Sequence, residues 1–237
     1  MEQKVAAVMG VGPGLGAAVA CRFARGGFAL GLMARSADKL TPIHKDIERG
    51  GGIARSIPAD ATDPDSVAAA FAQLRDQLGD PDVFVYNAGA FEVSGVLDIS
   101  PEQFEQCWRA NCFGGFLGAK EVLLPMLARQ RGTIIFTGAT ASLRGSARFA
   151  CLAVGKFGLR ALAQSLAREF GPEGIHVAHV VIDGMIDTPR IRSLAPDRAD
   201  DVLLSPEAIA EAYWQLHAQE RTAWTMELDL RPAVEKF

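Results

Sequence analysis

The chain has 237 residues, 49% of them hydrophobic and 22% charged, a balance that supports one globular domain with its own core and excludes a disordered chain or a disulfide-stapled miniprotein. A formal charge of -4, with Lys and Arg scattered along the chain, supplies no basic patch for a polyanion, so nucleic acid is not an expected partner. The cysteines Cys21, Cys107, Cys112 and Cys151 and the histidines His44, His176, His179 and His217 follow no metal-ligand spacing; no metal is expected, and the cysteines read as small buried hydrophobes of a reducing compartment.

The uncharged run of residues 5–21 is interrupted by Gly10, Gly12, Pro13, Gly14 and Gly16 and preceded by little positive charge, which argues against a secretion signal. No other stretch approaches the roughly 20 apolar residues of a membrane span. A cytoplasmic protein with no membrane partner is expected.

Short apolar runs predict strands near residues 4–9, 28–34, 53–58, 82–86, 132–138, 175–182 and 224–230. Helical periodicity predicts helices near 14–26, 38–49, 64–78, 102–128, 148–170 and 206–219. Runs such as Thr133 to Phe136 and Val177 to Ile182 are apolar at nearly every position, as in strands of a parallel sheet covered by helices on both faces. The expected class is therefore α/β, a single doubly wound domain spanning residues 1–237. Asp63-Pro64, Ser100-Pro101 and Ser205-Pro206 each place a capping side chain before a proline at the first helical position. Residues 183–205 form the longest connection, which reads as a lid over a ligand or a disordered loop.

The first strand runs into Gly10-Val11-Gly12-Pro13-Gly14-Leu15-Gly16 and then an alanine-rich helix. Such a turn lets a pyrophosphate approach bare backbone at a helix N-terminus, where free amides and the helix dipole favour an anion. The spacing G-x-x-x-G-x-G fits neither the Walker pattern nor G-x-G-x-x-G. Other elements follow in order: Asp60-Ala61, Asn87-Ala88-Gly89, Asn111, Lys156, and Gly184 with Ile186 and Thr188.

Taken together these motifs resemble the classical short-chain dehydrogenase/reductase family over essentially the whole chain. The resemblance implies a Rossmann domain of seven parallel strands in the order 3-2-1-4-5-6-7, a bound nicotinamide dinucleotide and a small-molecule substrate. It implies that Gly10, Gly14, Leu15 and Gly16 form the pyrophosphate turn and that Asp60 and Ala61 lie against adenine. Asn87, Ala88 and Gly89 would form the cofactor floor, and Lys156 would hold the ribose hydroxyls. Gly184, Ile186 and Thr188 would close over the nicotinamide. Ala34-Arg35-Ser36 ends the second strand where an acidic residue would bond a ribose 2'-hydroxyl; Arg35 either complements a 2'-phosphate, favouring NADP(H) with NAD(H) possible, or is a solvated loop charge. Family members commonly form homodimers and homotetramers through the helices of residues 102–128 and 148–170.

The family's proton chemistry uses Asn, Ser, Tyr and Lys. Here Asn111 and Lys156 match as catalytic residues, but Leu152 stands at the Tyr position and Ala139 at the Ser position. Thr140 and Ser142 could offer a hydrogen bond to substrate or serve as caps after the fifth strand. Cys151 adjoins the Tyr position but points about 100° away on a helix. Two functions remain open: an NADP(H)-dependent oxidoreductase with an altered proton relay and weak activity of the usual family kind, or a nucleotide-binding protein without catalysis.

Overall fold

The computed structural model describes residues 3–234 apart from 195 and 198. Its centre is a seven-stranded parallel sheet in the order β3-β2-β1-β4-β5-β6-β9. The strands are β1 (Val5–Met9), β2 (Ala29–Ala34), β3 (Ile53–Pro58), β4 (Val83–Tyr86), β5 (Gly132–Thr137), β6 (Ile175–Ile182) and β9 (Glu227–Leu230). Every residue of β1, β4, β5 and β6 is buried, because these central strands are covered on both faces.

The period of two sorts their side chains between two cores. Ala6 and Val8 face α1 (Leu15–Arg25), α2 (Thr41–Arg49) and α8 (Pro206–His217), while Val5, Ala7 and Met9 face α3 (Pro64–Leu78), α5 (Gly114–Ala128) and α6 (Ala150–Phe170). The capping expectations hold: the side chains of Asp63, Ser100 and Ser205 accept from the amides of Asp65, Gln103 and Ala208.

Two regions differ from the sequence expectations. The single helix expected over 102–128 is α4 (Pro101–Trp108), a π-helical turn over Arg109–Phe113, and then α5. The connection 183–205 is not a structureless loop. β7 (Met185–Ile186) pairs in parallel with β8 (Leu203–Leu204), with α7 (Pro189–Leu194) between them; residues 195 and 198 of the expected lid lie outside the described residues. Bidentate pairing of Arg192 with Asp187 at 2.7 Å braces the start of this segment. All of this stands at the carboxyl ends of the parallel strands, where a doubly wound sheet opens its ligand crevice.

Candidate active site

The glycine turn is packed from three sides. The amides of Gly10 and Val11 both donate to the Met33 carbonyl, at 2.9 and 3.0 Å. Gly10 has φ +95, and a Cβ there would stand 2.3 Å from the Ala88 amide nitrogen. Gly16 is equally bound to be bare, since its Cβ would lie 2.6 Å from the Gly10 carbonyl. Asn87 locks the turn to the sheet: its Nδ2 donates to the Gly10 carbonyl at 2.9 Å and its backbone N–H to Met9 at 2.8 Å.

Leu15 is buried beneath the turn. Gly14, at the N-cap of α1, supplies no side-chain cap, and the first turn holds no acidic residue. The first amides of α1 thus keep their capacity for an anion. Space around Gly12 is open, and Gly14 faces the Thr188 methyl, which brings the β7 segment over the turn. This cradle fits a dinucleotide pyrophosphate.

Arg35 is exposed at the end of β2. Asp60 is turned toward its own loop, its Oδ1 accepting from the Thr62 amide at 2.9 Å and the Thr62 hydroxyl at 2.8 Å. Partial burial pushes its carboxyl pKa up, but those two bonds and the nearby Arg35 charge together hold it below the ordinary value. Ala61 is buried, its carbonyl packed under Gly114.

The catalytic candidates meet on the other side of Asn87. Lys156 is buried, and its Nζ donates to the Thr137 carbonyl at 2.8 Å. Removal from water lowers its pKa to about 8. Asn111 is fully buried on the π-helical turn, a geometry that leaves backbone carbonyls without their usual helical partners. Asn111 Nδ2 takes up the Cys107 carbonyl at 3.0 Å and the Ala90 carbonyl at 2.8 Å, while the Tyr86 hydroxyl takes up Ala110 at 2.8 Å.

Asn111 Oδ1 has no partner among the described residues. A Cβ at Gly89 would be 2.9 Å from that oxygen and 3.7 Å from Lys156 Nζ, so both polar groups converge over Gly89. A buried amide oxygen left open in this way is a place for a donor from a bound molecule.

A cavity of about 460 Å³ opens beside these groups. Leu152 and Ala139 line it, together with Phe91, Phe149, Ile182 and Ile186, giving a predominantly apolar wall. Neither tyrosine reaches it. Tyr86 is spent on Ala110, and buried Tyr213 exchanges a hydrogen bond with Thr137 Oγ1 at 2.9 Å. Cys151 is buried and does not line the cavity. Of the two hydroxyls that the sequence singles out after β5, Ser142 is fully buried and accepts from the Ala139 amide at 3.1 Å, which makes it a cap. Thr140 lines the cavity and donates to Asp183 Oδ1 at 2.5 Å.

The sequence reading passed over Asp183, although its position directly before Gly184 was a usable signal. It also passed over Phe91 and Phe149, which sit in irregular segments and meet only in the fold, ring centroids 5.9 Å apart.

The sheet order, the glycine turn and the Asn111–Lys156 pair define a Rossmann-type domain of the dehydrogenase kind. The chain belongs to the short-chain dehydrogenase family, whose pattern its residues 4–199 match. It is 35% identical over 190 residues to the short-chain dehydrogenase/reductase eriH of Hericium erinaceus, covering 78% of this chain and 75% of that one. A short-chain dehydrogenase from Rhodopseudomonas palustris has the same fold at a TM-score of 0.85 with 39% identity, over 97% of this chain and 98% of that one. A metagenomic short-chain oxidoreductase solved in complex with NADP superposes at a TM-score of 0.86 with 26% identity, over 99% of both chains.

Proposed function

We propose that the protein is an NADP(H)-dependent oxidoreductase of a small-molecule carbonyl/alcohol pair, working without the family's Tyr and Ser hydroxyls. The observation that carries this reading is the convergence of Lys156 Nζ and the open Asn111 Oδ1 over Gly89. Burying a lysine and an unpaired amide oxygen side by side costs stability, and a bound nucleotide is what repays it. The chain's own contributions follow from position. Gly10, Gly14, Leu15 and Gly16 shape the pyrophosphate turn, Asp60 and Ala61 the adenine side, and Asn87, Ala88 and Gly89 the floor.

Arg35 pairs with the 2'-phosphate of NADP(H), with NAD(H) the weaker ligand. Gly184, Ile186 and Thr188 close the nicotinamide end. When bound, the nucleotide supplies or accepts the hydride. Lys156 holds a proton at Nζ up to pH near 8 and offers it to a ribose hydroxyl, with Asn111 holding a donor on its open oxygen. Leu152 and Ala139 bring no proton to the substrate oxygen, so reduction of an unactivated ketone is slow, a positioned general acid being worth roughly 10²- to 10⁴-fold.

Those same two residues favour a second reading, a nucleotide-binding protein without catalysis. Titration calorimetry tests the first. NADPH binds more tightly than NADH, and Arg35→Asp narrows or inverts the difference, a charge-assisted pair being worth roughly 1.5–3 kcal/mol. Equal wild-type affinities refute the Arg35 assignment. Tight NADPH binding with no turnover of any aldehyde, ketone or alcohol gives the second reading precedence.

The protein is also proposed to form a homodimer or homotetramer in the cytoplasm. Phe116 and Leu124 of α5 and Val154 and Phe157 of α6 are exposed large apolar residues on neighbouring helices, the kind of patch that a partner covers. Among the described residues no helix is long and apolar enough to cross a membrane.

A further inference from the structure

We propose that Thr140 and Asp183 are the proton-accepting pair of this cavity, so that the site is built to take a proton from a substrate hydroxyl. This rests on the oxidoreductase reading above and identifies residues that replace the absent hydroxyls. Thr140 lines the cavity, and its Oγ1 donates its only proton to Asp183 Oδ1 at 2.5 Å. A hydroxyl has one hydrogen and two lone pairs. With the hydrogen committed to a carboxylate, Thr140 presents lone pairs to the cavity and must accept from a ligand.

Asp183 is fitted for the second half of the transfer. It is 5% exposed, in the link between β6 and β7, and a carboxyl group so placed needs polar partners. Among the described residues, Arg231 Nη1 stands 3.4 Å from Oδ2 and Arg144 Nη2 4.0 Å from Oδ1, and Asp229 shares Arg231. The nearer cation sits on Oδ2, while Oδ1 is the oxygen that holds Thr140.

The step balances. The substrate O–H bond breaks as a new O–H bond forms on Thr140 Oγ1. The former Thr140 O–H bond breaks as one forms on Asp183 Oδ1. The hydride leaves the carbinol carbon for an oxidised nicotinamide dinucleotide, the co-reactant of the proposed function, and the carbonyl product forms. Thr140 returns to its starting state by a turn of its hydroxyl once Asp183 loses the proton to solvent.

Two measurements test the pair, the first without turnover. Calorimetric titration of the protein with 1-tetralol and with 1-tetralone, no nucleotide added, compares a ligand that donates through its oxygen with one that only accepts. The alcohol binds about three- to tenfold tighter, the range of a single hydrogen bond. Thr140→Val abolishes the preference and Thr140→Ser keeps it. A ketone bound as tightly as the alcohol by the wild type overturns the proposal, as does a preference that survives Thr140→Val.

The second measurement is NADP⁺-dependent oxidation of 1-tetralol. Asp183→Asn lowers kcat by roughly 10²-fold or more, while NADP⁺ affinity stays within about threefold. Oxidation that Asp183→Asn leaves within threefold of wild type overturns the relay but not the oxidoreductase reading. Failure of the wild type to bind NADP(H), or to turn over any aldehyde, ketone or alcohol, overturns both.

Discussion

Replacing Lys156 with Met makes the protein more stable at neutral pH while removing a residue the site depends on. Burial lowers the Lys156 pKa from 10.5 to about 8. At about 1.36 kcal/mol per pH unit, a drop of roughly 2.5 units means the ammonium costs the fold about 3 kcal/mol wherever it is charged in both states. Lys156→Met removes that cost and also the bond from Nζ to the Thr137 carbonyl, worth about 1 kcal/mol. A net gain of about 2 kcal/mol remains, which for a domain of this size raises Tm by roughly 4–8 °C.

The sign with pH follows from proton counting. Between pH 8 and 10.5 the unfolded chain holds the proton and the folded one has lost it, so wild-type stability rises with pH across that window and the advantage of the variant shrinks. Thermal unfolding of both proteins at pH 7 and pH 10, without nucleotide, reads the difference directly. The gain at pH 7 falls close to zero at pH 10. A variant less stable than wild type at pH 7, or a gain unchanged at pH 10, refutes the account of a lysine held at a desolvation cost.

Restoring the absent hydroxyls with Leu152→Tyr and Ala139→Ser together raises NADPH-dependent reduction of at least one activated carbonyl by tenfold or more, read by NADPH absorbance; no gain for any carbonyl in a variant that still binds NADPH refutes the assignment of these two positions. Gly10→Ala forces a Cβ to 2.3 Å from the Ala88 amide nitrogen at φ +95. Left-handed strain and overpacking together cost about 3 kcal/mol, and a melting curve unchanged from wild type would contradict it. Wild-type protein is a dimer or tetramer by light scattering at micromolar concentration, and Phe116→Glu with Leu124→Glu shifts it to monomer; a monomeric wild type refutes the α5–α6 association.

Local chemistry was the part of this fold that could be read directly from residues. Asp63, Ser100 and Ser205 mark helix starts because a cap and a proline act within four residues of one another. Runs such as Ile175–Ile182 mark buried strands because both faces carry the same signal. The interruption at 109–113 was not legible, since the carbonyls it frees are taken up by Asn111 and by Tyr86 on a strand some two dozen residues earlier. The β7–β8 pairing was hidden for a similar reason: two-residue strands have no periodicity, and their register is set by contacts across the connection. At the candidate site, the glycine turn, Asn87, Asn111 and Lys156 stand out by their spacing in the sequence, whereas Asp183 draws notice only when Thr140 arrives from the end of β5.

The π-helical turn at 109–113 has a consequence for how the site is encoded. It holds one residue more than an α-helical turn would, so α4 and α5 are out of helical phase with each other by about 100°. Deleting one residue of 109–113 other than Ala110 or Asn111 would restore a continuous helix and let the Cys107 and Ala110 carbonyls rejoin the backbone ladder. Asn111 would then lose Cys107 and keep only Ala90, and Tyr86 would lose Ala110, with neither side chain altered. The placement of Asn111 thus depends on the number of residues in that turn as well as on their identity, and a comparison of relatives by substitution alone would not detect its loss.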